Sequence, residues 1–115
     1  MKAALPNRRH ALVEKVRHEG HTFFIACDFD RFGRVREVHA FGKRENADAL
    51  LMLAENCELI SGLLQRGMGL ACVRRLIGRG GESHSLIGAL VEAARRIQAE
   101  HGRPAARAWR QWGIA

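Results

Sequence analysis

The spacing of apolar residues changes once along this chain, and that change limits the folds open to it. From Thr22 to Phe29 the run TFFIACDF places Phe23, Ile25, Cys27 and Phe29 on one side and Phe24, Ala26 and Asp28 on the other. That is the period of two required of a strand with one buried face. RVREVHAF, 34–41, alternates again, and RHALVEKVRH, 9–18, alternates less cleanly with charges suited to an edge strand. Glu19–Gly20 and DRFG, 30–33, separate these runs as turns, with glycine available for a positive φ. From Asn46 the period becomes helical. Asn46 is placed to cap the new element, Asp48 lies in its first turn and Gly67 stops it after Arg66. Leu50, Leu53, Cys57, Ile60 and Leu64 then share one stripe, with Asp48, Glu55, Glu58 and Gln65 roughly opposite. A short helix, LACVRRLIG, aligns Leu70, Val73 and Ile77. A last one, from Ser83 or Ser85 to His101, aligns Leu86, Leu90, Ala93 and Ile97. Strands in series followed by helices in series predict an α+β fold: a three-stranded antiparallel meander, then three helices packed on one face.

A chain of 115 residues, 47% of them hydrophobic, is one domain long. We divide it into a basic N-terminal arm, 1–9, an α+β domain, 10–101, and an arginine- and tryptophan-containing tail, 102–115. The longest apolar runs, such as ALLMLA at 49–54, are far shorter than the roughly 20 residues needed to cross a bilayer. Met1–Leu5 does not resemble a signal peptide, so a cytoplasmic protein is predicted. Cys27, Cys57 and Cys72 are odd in number and set among apolar neighbours, which predicts reduced, buried thiols. The net charge is +7, yet residues 45–67 carry −3. One acidic helix in a basic chain favours an acidic partner, nucleic acid or protein, and permits head-to-tail self-association.

Motifs that carry chemistry are sparse. Gly42–Lys43 lacks the upstream glycine and the following Ser or Thr of a phosphate loop, although Lys43 and Arg44 beside a helix N-terminus are candidates for anion contact. DFDRFG places Asp, Asp and Gly as a calcium loop does, but Phe32 and His39 occupy ligand positions, and a hairpin turn explains the segment better. Only His18 and His21 approach zinc-ligand spacing, with no matching pair, so neither a metal nor a cofactor is predicted. No catalytic triad or Cys/His pair can be nominated, and the chain is not predicted to be an enzyme. LISGLLQRGMGLACVRRLIGRG mimics a helix-turn-helix, with Arg74, Arg75 and Arg79 on or after its second helix. That helix is short and lacks the Asn or Gln that reads adenine. Arg8, Arg9, Lys43, Arg44, Arg74, Arg75 and Arg79 are the candidate anion or nucleic-acid contacts. In the tail, Trp109 and Trp112 are expected to dock on the domain or on a neighbouring subunit.

The long helix carries a second apolar line. Met52, Leu59 and Leu63 run beside the acidic stripe, and Gly62 next to them permits close approach of another backbone. One buried stripe suffices for a helix in a two-layer domain, so these three residues are the candidate subunit interface of a homodimer.

HTFFIACDFDRFGRVREVHAFGK, NADALLMLAENCELISGLLQRG, LACVRRLIG and the closing helix together resemble the TSCPD domain. That domain is found at the carboxy end of adenosylcobalamin-dependent ribonucleotide reductases and in small stand-alone proteins. The resemblance spans residues 10–100 and rests on the hairpin, the Gly-Lys strand exit and the long helix with its LIS and terminal glycine. It implies a noncatalytic accessory module acting through protein contacts, with a partner in ribonucleotide reduction or nucleotide metabolism. The family's Cys-Pro-Asp element near its last helix is replaced here by GGESHSLIGALVEA, so no metal ligand carries over. The alternative function is that of a basic nucleic-acid-binding protein using the arginines named above.

Overall fold

A computed structural model of the protein describes residues 11–42, 47–77 and 85–111. Three strands, β1 (Ala11–His18), β2 (His21–Phe29) and β3 (Val35–Gly42), form one antiparallel sheet in the order β1-β2-β3. Three helices follow, α1 (Ala47–Gln65), α2 (Leu70–Ile77) and α3 (Leu86–Gln111). The fold is the α+β arrangement predicted from the change of period.

The alternation in β2 does what the sequence requires of it. Phe23, Ile25, Cys27 and Phe29 are buried and form one core with Leu53, Cys57, Ile60 and Leu64 of α1, Leu70 and Val73 of α2, and Leu90, Ala93 and Ile97 of α3. Glu19 and Gly20, at φ 46° and 82°, make the two-residue β1–β2 turn, whose left-handed backbone matches the twist of the strands. In the β2–β3 turn the Asp30 carboxylate accepts the Phe32 and Arg34 N–H groups at 2.9 and 3.0 Å, fixing the loop. The register then slips: Phe29 pairs with Val35 but Asp28 with Glu37, which leaves Arg36 as the extra residue of a bulge. Arg36 Nε donates to Asp30 at 2.9 Å and its Nη1 to the Leu64 carbonyl at 2.8 Å. Helix α1 has no basic residue in its last turn, so the bulge supplies the positive charge favoured there. Gly67, at φ 104°, completes that end, with Gly67 N–H bonded to Leu64 O and Met68 N–H to Leu63 O.

Strand β3 is an edge, and α1 closes part of it. Ser61 Oγ accepts the Val38 N–H at 3.0 Å and donates to the Val38 carbonyl at 3.2 Å, all in buried surroundings. Ser61→Ala is expected to cost about 1–3 kcal/mol in urea denaturation, because both main-chain groups lose their partner away from water. A cost under about 0.5 kcal/mol would mean that the edge needs no such cap.

Two expectations are corrected. Gln65, expected beside the acidic stripe, is buried, because it stands one turn beyond Ser61 on the side of α1 turned to β3; neither end of its amide has a hydrogen-bond partner among the described residues. The last helix does not end at His101. It passes through Gly102 and Pro104 to Gln111, and Trp109 is buried with its Nε1 donating to the Phe29 carbonyl at 2.8 Å. That anchorage offsets the hydrogen bond that Pro104 removes from the helix. Trp109 thus docks on the domain as predicted, while Trp112 lies outside the described residues. At the other end, Ser85 Oγ accepts the Gly88 N–H at 3.0 Å and is the N-cap; Ser83 and the Asn46 cap lie outside the described residues.

Candidate functional site

Exposed apolar side chains gather at a groove between α1 and α2. Met52, Leu59 and Leu63 recur at spacings of seven and four, so they line one side of α1, and all three are exposed, Leu59 to 69%. On the facing helix Leu76 is 65% exposed. Helix α2 packs chiefly on α3 and only lightly on α1, and the space left is a cavity of about 300 Å³ whose walls include Asn56, Leu59, Leu63, Val73, Leu76 and Ile87. The sequence identifies the α1 half of this wall; the α2 half and Ile87 become visible only once α2 is oriented.

Charge is distributed unequally about the groove. Asp48 and Glu55 are exposed on the α1 side, and Arg75 is exposed on α2. Arg74 turns the other way, its Nε 3.3 Å from Glu92 of α3, where Glu92 also meets Arg95 at 3.0 Å. The arginine therefore ties α2 to α3. With Leu70 and Val73 buried and Arg74 engaged, α2 is a packed eight-residue helix. Of the other candidate anion contacts, Arg8, Arg9, Lys43, Arg44 and Arg79 lie outside the described residues.

Register gathers a second set of groups that sequence spacing leaves apart. Asp28 and Glu37 are directly opposite across β2 and β3, and His39 follows on the same face, its Nε2 3.5 Å from a Glu37 carboxylate oxygen. One ligand atom from each of these three residues lies within 4.8 Å of the others, and Asp28 is buried. Two carboxylates and an imidazole are chemically suited to a divalent cation. The sequence assigns no metal ligand here because residues 28, 37 and 39 meet only through strand pairing.

The two buried cysteines, Cys27 and Cys57, offer no thiolate near neutral pH. Burial pushes the Cys27 and Cys57 thiols up to about 12 from an ordinary 9.0, helped at Cys27 by Asp28 and Cys57 and at Cys57 by Glu58. Cys72 is half-buried, and all three thiols are free. Among the described residues no helix is long and apolar enough to cross a membrane. Comparison with protein-family models, curated proteins and solved structures gave no match to this chain.

Proposed function

We propose that this chain is a noncatalytic accessory module of the TSCPD type, working through protein contact in ribonucleotide reduction or a related branch of nucleotide metabolism. Its contact face is the α1–α2 groove, and the occupant is a second copy of the chain. The observation that carries this reading is the continuity of Met52, Leu59 and Leu63 with the apolar groove beside them. Large exposed aliphatic side chains arranged around a concavity are a cost to a solitary domain and an asset to an interface. The acidic α1 rim and the basic α2 rim favour self-pairing, since a two-fold axis through the groove sets the acidic side of one copy against the basic side of the other.

Sedimentation of the wild-type chain at micromolar concentration is expected to give a dimer. Leu59→Glu is expected to give a folded monomer with an unchanged circular dichroism spectrum. A two-fold interface carries each substitution twice. At about 2 kcal/mol per lost leucine side chain, dissociation shifts by about 4 kcal/mol, or roughly a thousandfold. Met52→Glu and Leu63→Glu are expected to act in the same direction. A monomeric wild type at about 10 μM, where even an ordinary micromolar dimer is largely assembled, overturns the reading.

A further inference from the structure

All three helices pack on one side of the sheet, and the opposite side carries an ordered array that the groove does not use. Register sets this array out in rows across the strands. Arg17 pairs with Thr22; Lys15 with Phe24, and Phe24 with Phe41; Val13 with Ala26, and Ala26 with His39; Ala11 with Asp28, and Asp28 with Glu37. The rows therefore run from cationic at one end, through aromatic and small apolar residues, to acidic at the other.

The second row has the geometry of a stacking platform. Phe24 and Phe41 lie with ring centroids 5.6 Å apart and planes 17° from parallel, an offset stacked pair. Phe41 belongs to the edge strand β3, and the residue is 48% exposed. Arg17 and Lys15 are exposed on the same face, one and two rows in from the turn between β1 and β2, and neither side chain has an ion pair or hydrogen bond among the described residues. A cross-strand aromatic pair by itself stabilises a sheet. Two cations without an ion-pair partner among the described residues, set across Phe24 from an exposed ring, are the parts of a site for a phosphate backbone with unpaired bases.

We propose that this outer sheet face binds single-stranded nucleic acid, with a base stacked on Phe41 and adjacent phosphates held by Lys15 and Arg17. A duplex fits poorly, because its bases are already stacked and leave no free π-face for Phe41. The chain's charge of +7 draws the ligand in, and the ring restricts it to single strands. With one exposed ring and two cations the contact is weak and salt-sensitive. None of it depends on the groove being occupied.

Fluorescence anisotropy of the full chain with dye-labelled oligothymidylate and oligouridylate of about twelve nucleotides, in about 20 mM salt and upward, tests the proposal. Saturable binding of one or both is expected, the two arms separating DNA from RNA, with the matched duplex binding less well. Phe41→Ala, at an exposed position that leaves the core intact, is expected to weaken binding about tenfold. Lys15→Ala and Arg17→Ala are each expected to flatten the dependence of log K on log salt by about 0.7, one phosphate contact on a single strand. Three outcomes overturn the proposal: no saturable binding at the lowest salt, binding that Phe41→Ala leaves unchanged, or a Phe41→Ala variant that turns a dimer into a monomer. The last would assign the face to a second copy of the chain.

Discussion

Gly33→Ala is expected to destabilise the fold by about 2–5 kcal/mol, whereas Gly20→Ala costs only about 1–2 kcal/mol. Both glycines have left-handed backbone, at φ 81° and 82°, so the conformational penalty for a side chain is common to the two. Their surroundings differ. A Cβ at Gly20 meets nothing within 4 Å, but one at Gly33 overlaps the carbonyl oxygen of Gly102, in the middle of α3. The obstacle is backbone and not the end of a flexible side chain, so relief requires the β2–β3 turn to lift away from the helix. Lifting it strains two further ties between hairpin and helix, the Val35 N–H to Gln98 Oε1 bond at 2.7 Å and the Trp109 bond to Phe29. Gly102→Ala meets the same contact from the other side, its Cβ falling 2.6 Å from the Gly33 oxygen, but recovers about 1 kcal/mol of helix propensity. A domain of this size is stable by only about 6–17 kcal/mol, so the Gly33 change removes a sizeable share. Urea midpoints for the three variants decide the matter: equal losses at Gly20 and Gly33 would show that the turn is not seated on α3.

The same contact explains what the sequence conceals. Local pattern identifies β2, the buried stripe of α1 and the order of elements, because each depends on residues within one or two turns of one another. The continuation of α3 does not. Gly102 and Pro104 are the residues that ordinarily end a helix, and the reasons they do not end this one lie in the turn at Gly33 and in the Phe29 carbonyl, about seventy to eighty residues earlier. Gln65 is misplaced for a related reason, since a helical period gives the angle of a side chain but not the position of the strand edge it meets. The α1 side of the groove is readable, as Met52, Leu59 and Leu63 repeat with the helix. The Asp28, Glu37 and His39 cluster and the rows of the outer face are not, because a bulge at Arg36 sets their register.

Stability is expected to fall steeply between about pH 9 and pH 12, and the core thiols are the cause. In the unfolded chain Cys27 and Cys57 release their protons near 9.0; in the folded protein burial holds both thiols to about 12. Between those values the unfolded state binds fewer protons than the folded one. The sign is therefore fixed: the stabilisation is complete below pH 9 and is lost as pH rises toward 12. Three pH units correspond to about 4 kcal/mol for a single thiol, an order-of-magnitude figure that is a sizeable share of the stability of a domain this size. Cys27 is raised in part by Cys57, so the two sites titrate as neighbours and not independently. The chain has no tyrosine, which leaves thiolate absorbance free of a phenolate signal during the titration. Unfolding free energies measured from pH 8 to 12 are expected to decline with a slope of up to two protons, and Cys57→Ala is expected to reduce that slope by about one, whatever the cavity costs at neutral pH. Native thiols that ionise near pH 9, or a slope that Cys57→Ala leaves intact, would place the alkaline weakness elsewhere than in the core between β2 and α1.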